Sequence, residues 1–119
     1  MGLTKAKAEI GINEANLREV EFLVDTGSFY TFLPPAMAKE LGIAFPVITE
    51  VITADSRKSR VPVGVAYMKL LDREAGIILG TMDVPRPLLG ASALEVLGFK
   101  VNPVTEKLEH TRPFGPAAL

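Results

Sequence analysis

Apolar and polar positions alternate with a period of two along the first part of the chain. Ala6, Ala8, Ile10 and Ile12 alternate with Lys5, Lys7, Glu9 and Gly11, and Val20, Phe22 and Val24 alternate with Glu19, Glu21 and Leu23. Successive strand side chains point to opposite faces, so this spacing predicts two strands, over 5–12 and 17–24. The polar run 13–16 between them predicts a hairpin turn. Residues 29–33, aromatic and β-branched, predict another strand. Pro34-Pro35 suits the start of a short helix over 36–41, which Gly42 ends.

Further strands are predicted over 46–54 and 61–69, around a polar tip at 55–60, and over 75–82 after a turn at 71–74. Leu88-Leu89-Gly90 then leads into a helix over 92–97, with Ser92 as its N-cap and Gly98 as its stop. Residues 99–102 and 107–110 predict a last hairpin around the turn 103–106. The stretch 111–119, rich in Pro, Gly and Ala, is expected to be loosely held. One grammar occurs twice: an apolar strand, a glycine turn and a short helix closed by Leu-Gly, at Leu41-Gly42 and again at Leu97-Gly98. Two similar half-units are the simplest account.

The fold class is therefore mainly β, with one or two short helices. At 119 residues the expectation is one domain over 1–119, with its core at about 5–110. Without cysteine, the chain has no disulfides, thiol chemistry or thiolate metal sites, and its single histidine, His110, gives no His-based metal cluster. No metal and no cofactor is expected. A net charge of −1 provides no field for nucleic acid or a membrane surface, and no apolar run reaches membrane-spanning length. Residues 1–6 lack an apolar signal region, so the expected location is cytoplasmic. The remaining chemistry lies with carboxylates, hydroxyls and backbone.

One carboxylate stands apart. In Phe22-Leu23-Val24-Asp25-Thr26-Gly27-Ser28 an apolar strand ends abruptly in an acid, a hydroxyl and a glycine. Burying a charge at the end of an apolar strand is expensive unless something pairs with it or uses it. Gly27 offers backbone freedom and close approach beside it. Asp55, Asp72 and Asp83 sit in polar, turn-like settings without that strand and glycine.

At these residues the chain resembles the retropepsin-like aspartic proteases, and looks closest to their small prokaryotic members. Leu23-Val24-Asp25-Thr26-Gly27-Ser28 matches their apolar-apolar-Asp-Thr-Gly-Ser pattern, and Leu88-Leu89-Gly90 with the helix after it matches their second motif. The resemblance covers about 5–110. It implies a single-lobe closed β-barrel with a β-hairpin flap, here at 51–65. It also implies roles: Asp25 as catalytic carboxylate, Thr26 bonding across a dimer axis, and Gly27 admitting the substrate backbone. Ser28 would hydrogen-bond the outer oxygen of Asp25, and Leu89 and Gly90 would support the loop from behind. Phe29, Tyr30, Ala54, Asp55, Ser56 and Val65 become candidate substrate or flap residues. The tip here is charged and glycine-free, unlike the glycine-rich flap of the viral members.

Peptide hydrolysis by carboxylates needs two of them, one to take a proton from water and one to protonate the carbonyl oxygen. With one Asp-Thr-Gly per chain, the second must come from another copy, so the expected partner is a second subunit related by a two-fold axis at Asp25, and the substrate a polypeptide. Two other readings stay open. The same fold could serve as a dimerisation or peptide-binding module that cleaves nothing. A small β-barrel binding nucleic acid through Arg57, Lys58 and Arg60 is the third, disfavoured by the acidic balance and by the lack of aromatics among those charges.

Overall fold

The alternation at the start of the chain becomes an antiparallel pairing in the computed structural model, which describes residues 4–113. β1 (Lys5–Gly11) and β2 (Leu17–Asp25) pair so that Ala6 stands opposite Phe22 and Ala8 opposite Val20. Val20 and Phe22 are buried while Glu19 and Glu21 remain exposed, so one face meets the core and the other meets water. The chain continues through β3 (Thr31–Leu33), α1 (Pro35–Leu41), β4 (Val47–Ile52), β5 (Lys58–Leu70) and β6 (Arg73–Thr81). It ends with β7 (Leu88–Gly90), α2 (Ala91–Leu97), β8 (Phe99–Val101) and β9 (Leu108–His110).

The large sheet has the order β1-β2-β7-β3-β6-β5-β4, and β1 also pairs with β5. Six strands therefore close into a barrel, with β4 added outside β5, which is the mainly-β, retropepsin-like architecture that the resemblance implied. Closure satisfies strand edges that would otherwise be open for pairing. Phe22, Leu33, Met68, Leu79, Leu89 and Leu97 fill the interior and are closed to solvent. Each such side chain contributes about 1.5–3 kcal/mol relative to exposure.

The non-local step is β7. It lies between β2 and β3, parallel to the first (Val24 beside Leu89, Asp25 beside Gly90) and antiparallel to the second (Phe32 beside Leu88). Each helix ends in a left-handed glycine, Gly42 with φ 70° and Gly98 with φ 76°, as the repeated grammar predicts.

Local structure departs from the expectations at several points. Phe29 and Tyr30 lie before β3, because the Ser28 and Phe29 carbonyls turn to accept the Ala91 and Ser92 amides of α2. Ser92 is not the N-cap of α2; Gly90 is, and the Ser92 hydroxyl donates to the Phe29 carbonyl. β5 begins at Lys58, so the polar tip contracts to 53–57. Arg73, expected in a turn, opens β6 and is buried. The supposedly loose stretch is tied where it begins: the Thr111 amide donates to the Gly98 carbonyl, and Arg112 is held on both its backbone and its side chain. Residues 114–119 of that stretch lie outside the described residues.

Candidate active site

Asp25 is the last residue of β2, and the chain turns immediately after it. The Ser28 amide donates to the Asp25 carbonyl at 3.1 Å. The Gly27 amide donates to Oδ1 of the half-buried Asp25 side chain, also at 3.1 Å. An amide donating to a carboxylate makes a charge-assisted bond, which fixes the acid's orientation at the strand mouth. Gly27 itself has no left-handed backbone angle. A Cβ there would stand 3.4 Å from Asp25 Oδ1, an ordinary van der Waals contact, so neither backbone angle nor space within one chain demands glycine at this position. Thr26 is exposed on the same turn.

The loop is held from behind by β7 and α2. Leu89 is fully buried beside Val24, and the Gly90 amide donates to Oγ1 of the fully buried Thr31 at 3.0 Å. A Cβ on Gly90 would fall 2.2 Å from the Tyr30 carbonyl oxygen, so only glycine fits this crossing. The Ala91 amide reaches the Ser28 carbonyl at 2.7 Å, and the Ser92 amide reaches the Phe29 carbonyl at 3.0 Å.

The Ser28 hydroxyl does not make the bond that the resemblance implied. Its single proton goes to the Tyr30 carbonyl at 2.8 Å, so it braces the loop and does not donate to Asp25. Thr31 and Ser92 are residues bracing the loop that sequence reasoning missed. Thr31 read as an ordinary β-branched strand residue, and Ser92 as a helix cap. Their hydroxyls matter only because the crossing of β3, β7 and α2 brings distant backbone to them.

An aromatic chain flanks the loop. Phe29, 59% exposed, meets Tyr30 edge-on with centroids 5.0 Å apart, and Tyr30 meets Phe32 at 6.1 Å. A groove of about 860 Å³ reaches the loop at Thr26, lined in part also by Val24, Ala91, Leu94, Glu95 and Phe99, with neither Asp25 nor the rings of Phe29, Tyr30 and Phe32 in its lining. Val65, a further substrate or flap candidate, stands elsewhere. It lines a separate, apolar groove of about 530 Å³ with Ile12, Val47, Val63 and Ile78, where no residue of the Asp25 loop appears.

The β4–β5 tip carries the other candidates. Asp55 accepts from the Thr53 hydroxyl and, at 3.3 Å, from the Arg57 amide, while its second oxygen lies 3.2 Å from Arg57 Nε. The Thr53 amide closes the turn on the Arg57 carbonyl at 2.8 Å, with Ser56 in the left-handed region at φ 66° and Ala54 exposed. The Thr53 hydroxyl first, and the Arg57 amide second, hold the Asp55 carboxyl below its ordinary value of 3.8. Among the described residues no three His, Asp or Glu side chains gather as metal ligands.

One chain thus presents one backbone-oriented carboxylate on a braced loop, beside an aromatic wall and a groove. That is half of what carboxylate hydrolysis of an amide requires. A comparison with curated proteins finds no match. Residues 9–96 match the family model of the gag-polyprotein putative aspartyl protease.

Proposed function

Because the chain belongs to that family of aspartyl proteases, we propose that it is an aspartic endopeptidase that works as a homodimer, with Asp25 of each copy meeting at a two-fold axis. The observation that carries the reading is the placement of Asp25: a single carboxylate at a strand mouth, oriented by the Gly27 amide and braced by Gly90, Thr31 and α2. A loop held this firmly suits a group that must meet its counterpart in one geometry. Two carboxylates brought to about 3 Å cannot both ionise, so such a pair shares one proton and divides the roles of base and acid. The ionised member takes a proton from water as that water attacks the scissile carbonyl. The protonated member gives its proton to the carbonyl oxygen, and collapse of the tetrahedral intermediate releases the amine with a proton returned to it.

Thr26, exposed beside Asp25, bonds across the axis in this reading, and Gly27 leaves room for the substrate backbone. Phe29 and Tyr30 offer an apolar surface to substrate side chains, and the β4–β5 hairpin serves as the flap, with its tip at Ala54, Asp55 and Ser56. The test is cleavage of a mixed peptide library between about pH 3 and pH 7, with Asp25→Asn in parallel and the oligomeric state measured. Cleavage by the wild type and its loss in the variant are expected. A stable dimer that cleaves nothing across this range would instead assign the chain as a peptide-binding or dimerisation module.

A further inference from the structure

Two arginines converge on the far end of α2. Arg73, buried at the start of β6, donates from Nη1 to the Leu97 and Gly98 carbonyls at 3.0 Å each and from Nη2 to the Arg112 carbonyl at 2.6 Å. It also lies 5.4 Å from the centroid of the Phe99 ring. Arg112 donates from its own Nη2 to the Glu95 and Val96 carbonyls, at 3.0 and 2.8 Å. Four consecutive carbonyls, from Glu95 to Gly98, thus receive arginine N–H groups. The Val96 and Leu97 carbonyls are among the acceptors that a helix end leaves without intrahelical donors, while the Glu95 carbonyl also takes the Gly98 amide and the Gly98 carbonyl the Thr111 amide; a cation there also complements the helix dipole. Gly98 makes the approach possible: a Cβ would sit 2.6 Å from Arg73 Nη1 and 3.2 Å from the Arg112 guanidinium carbon.

The near end of the same helix holds the Asp25 loop, through the Ala91 and Ser92 amides on the Ser28 and Phe29 carbonyls. α2 is only seven residues long, below the length at which a helix sustains itself in water, so its position is set by what holds its ends and its buried face. The family match ends at residue 96, so Arg112 lies beyond the matched pattern.

We propose that Arg112, acting with Arg73, is a positioning residue for Asp25: the pair clamps the C-terminal end of α2, and α2 in turn sets the Asp25–Tyr30 loop. The catalytic consequence rests on the protease reading, whereas the mechanical one can be measured without any activity. Arg112→Gln removes the cation and its fork, and Arg112→Lys keeps the charge but not the planar fork. The experiment measures amide hydrogen exchange and peptide cleavage on the full chain of the wild type and both variants. In Arg112→Gln the Ala91 and Ser92 amides are expected to exchange about tenfold faster, the size of effect expected when a charged hydrogen-bond donor is lost. The Ala8 and Ile10 amides of the barrel should keep their wild-type rates. The kcat should fall by a similar factor with KM little changed, and Arg112→Lys should recover part of both effects. Faster exchange confined to residues 98–111, with Ala91 and Ser92 as in the wild type, would overturn the proposal, as would a uniform rise across the barrel in both variants. A wild type that cleaves nothing would sink the protease reading alone, and the exchange pattern would still decide the clamp.

Discussion

Two turns of this molecule carry an aspartate held by a backbone amide, and they are built in opposite ways. The turn after Asp25 closes through the Gly27 and Ser28 amides and is then fixed by distant parts of the chain: the Gly90 amide bonds the Thr31 hydroxyl behind it, and the first amides of α2 reach the Ser28 and Phe29 carbonyls. At the β4–β5 tip, the bonds that hold Asp55 come from Thr53 and Arg57, in exposed surroundings. The first turn inherits the rigidity of the core, and the second has a fixed local shape independent of the core. A carboxylate that must meet a partner needs the former. A tip that closes over substrate can use the latter, moving as one piece where a glycine-rich tip would bend internally.

The comparison can be broken most forcefully at Asp25. Asp25→Asn should abolish cleavage, a loss on the order of a thousandfold or more, while the melting temperature stays near that of the wild type. Peptide cleavage together with a thermal melt checks both halves. Next come the groups behind the loop. Gly90→Ala drives a methyl into the Tyr30 carbonyl and should destabilise the fold by about 2–4 kcal/mol. Thr31→Val removes the acceptor of a buried amide and should destabilise by about 1–3 kcal/mol, read from denaturant midpoints.

Changes at the tip should be gentler and of another kind. The Asp55 carboxyl titrates below 3.8 in the folded chain, so its contribution is complete above that value and fades as the pH falls through the lowered folded value. Asp55→Asn should therefore flatten the acid limb of the stability profile below about pH 4; with Asp55 at the tip of the proposed flap, KM should rise and kcat stay nearly unchanged. The smallest effect belongs to Val65, 70% exposed in the separate groove. Val65→Ala should shift stability by no more than about 0.5 kcal/mol and leave kcat/KM as it was.

Much of this was legible in the sequence because it is written locally. Period-two alternation gives β1 and β2, the left-handed stops at Gly42 and Gly98 follow their helices, and Asp25-Thr26-Gly27 stands out against its apolar strand. What escaped was the product of long-range crossing. No local pattern says that β7 will insert between β2 and β3, so the roles of Thr31 and Ser92 and the true partner of the Ser28 hydroxyl were out of reach. Arg73 was misread for a related reason. Beside Asp72 and Glu74 it looks like turn charge, yet its guanidinium turns inward because the carbonyls at the end of α2 need donors. Gly90 shows both sides: its motif was visible, but the backbone contact with Tyr30 that demands glycine was not.

The central claim, that two copies each supply an Asp25, is tested most directly by titrating wild-type protein with Asp25→Asn under conditions of subunit exchange. Total protein is held constant and peptide cleavage is followed. If a wild-type and a variant chain form a dead pair, activity falls as the square of the wild-type fraction, and that is the result expected. A linear fall would mean that each chain cleaves alone, and the account of a shared pair of carboxylates would be wrong.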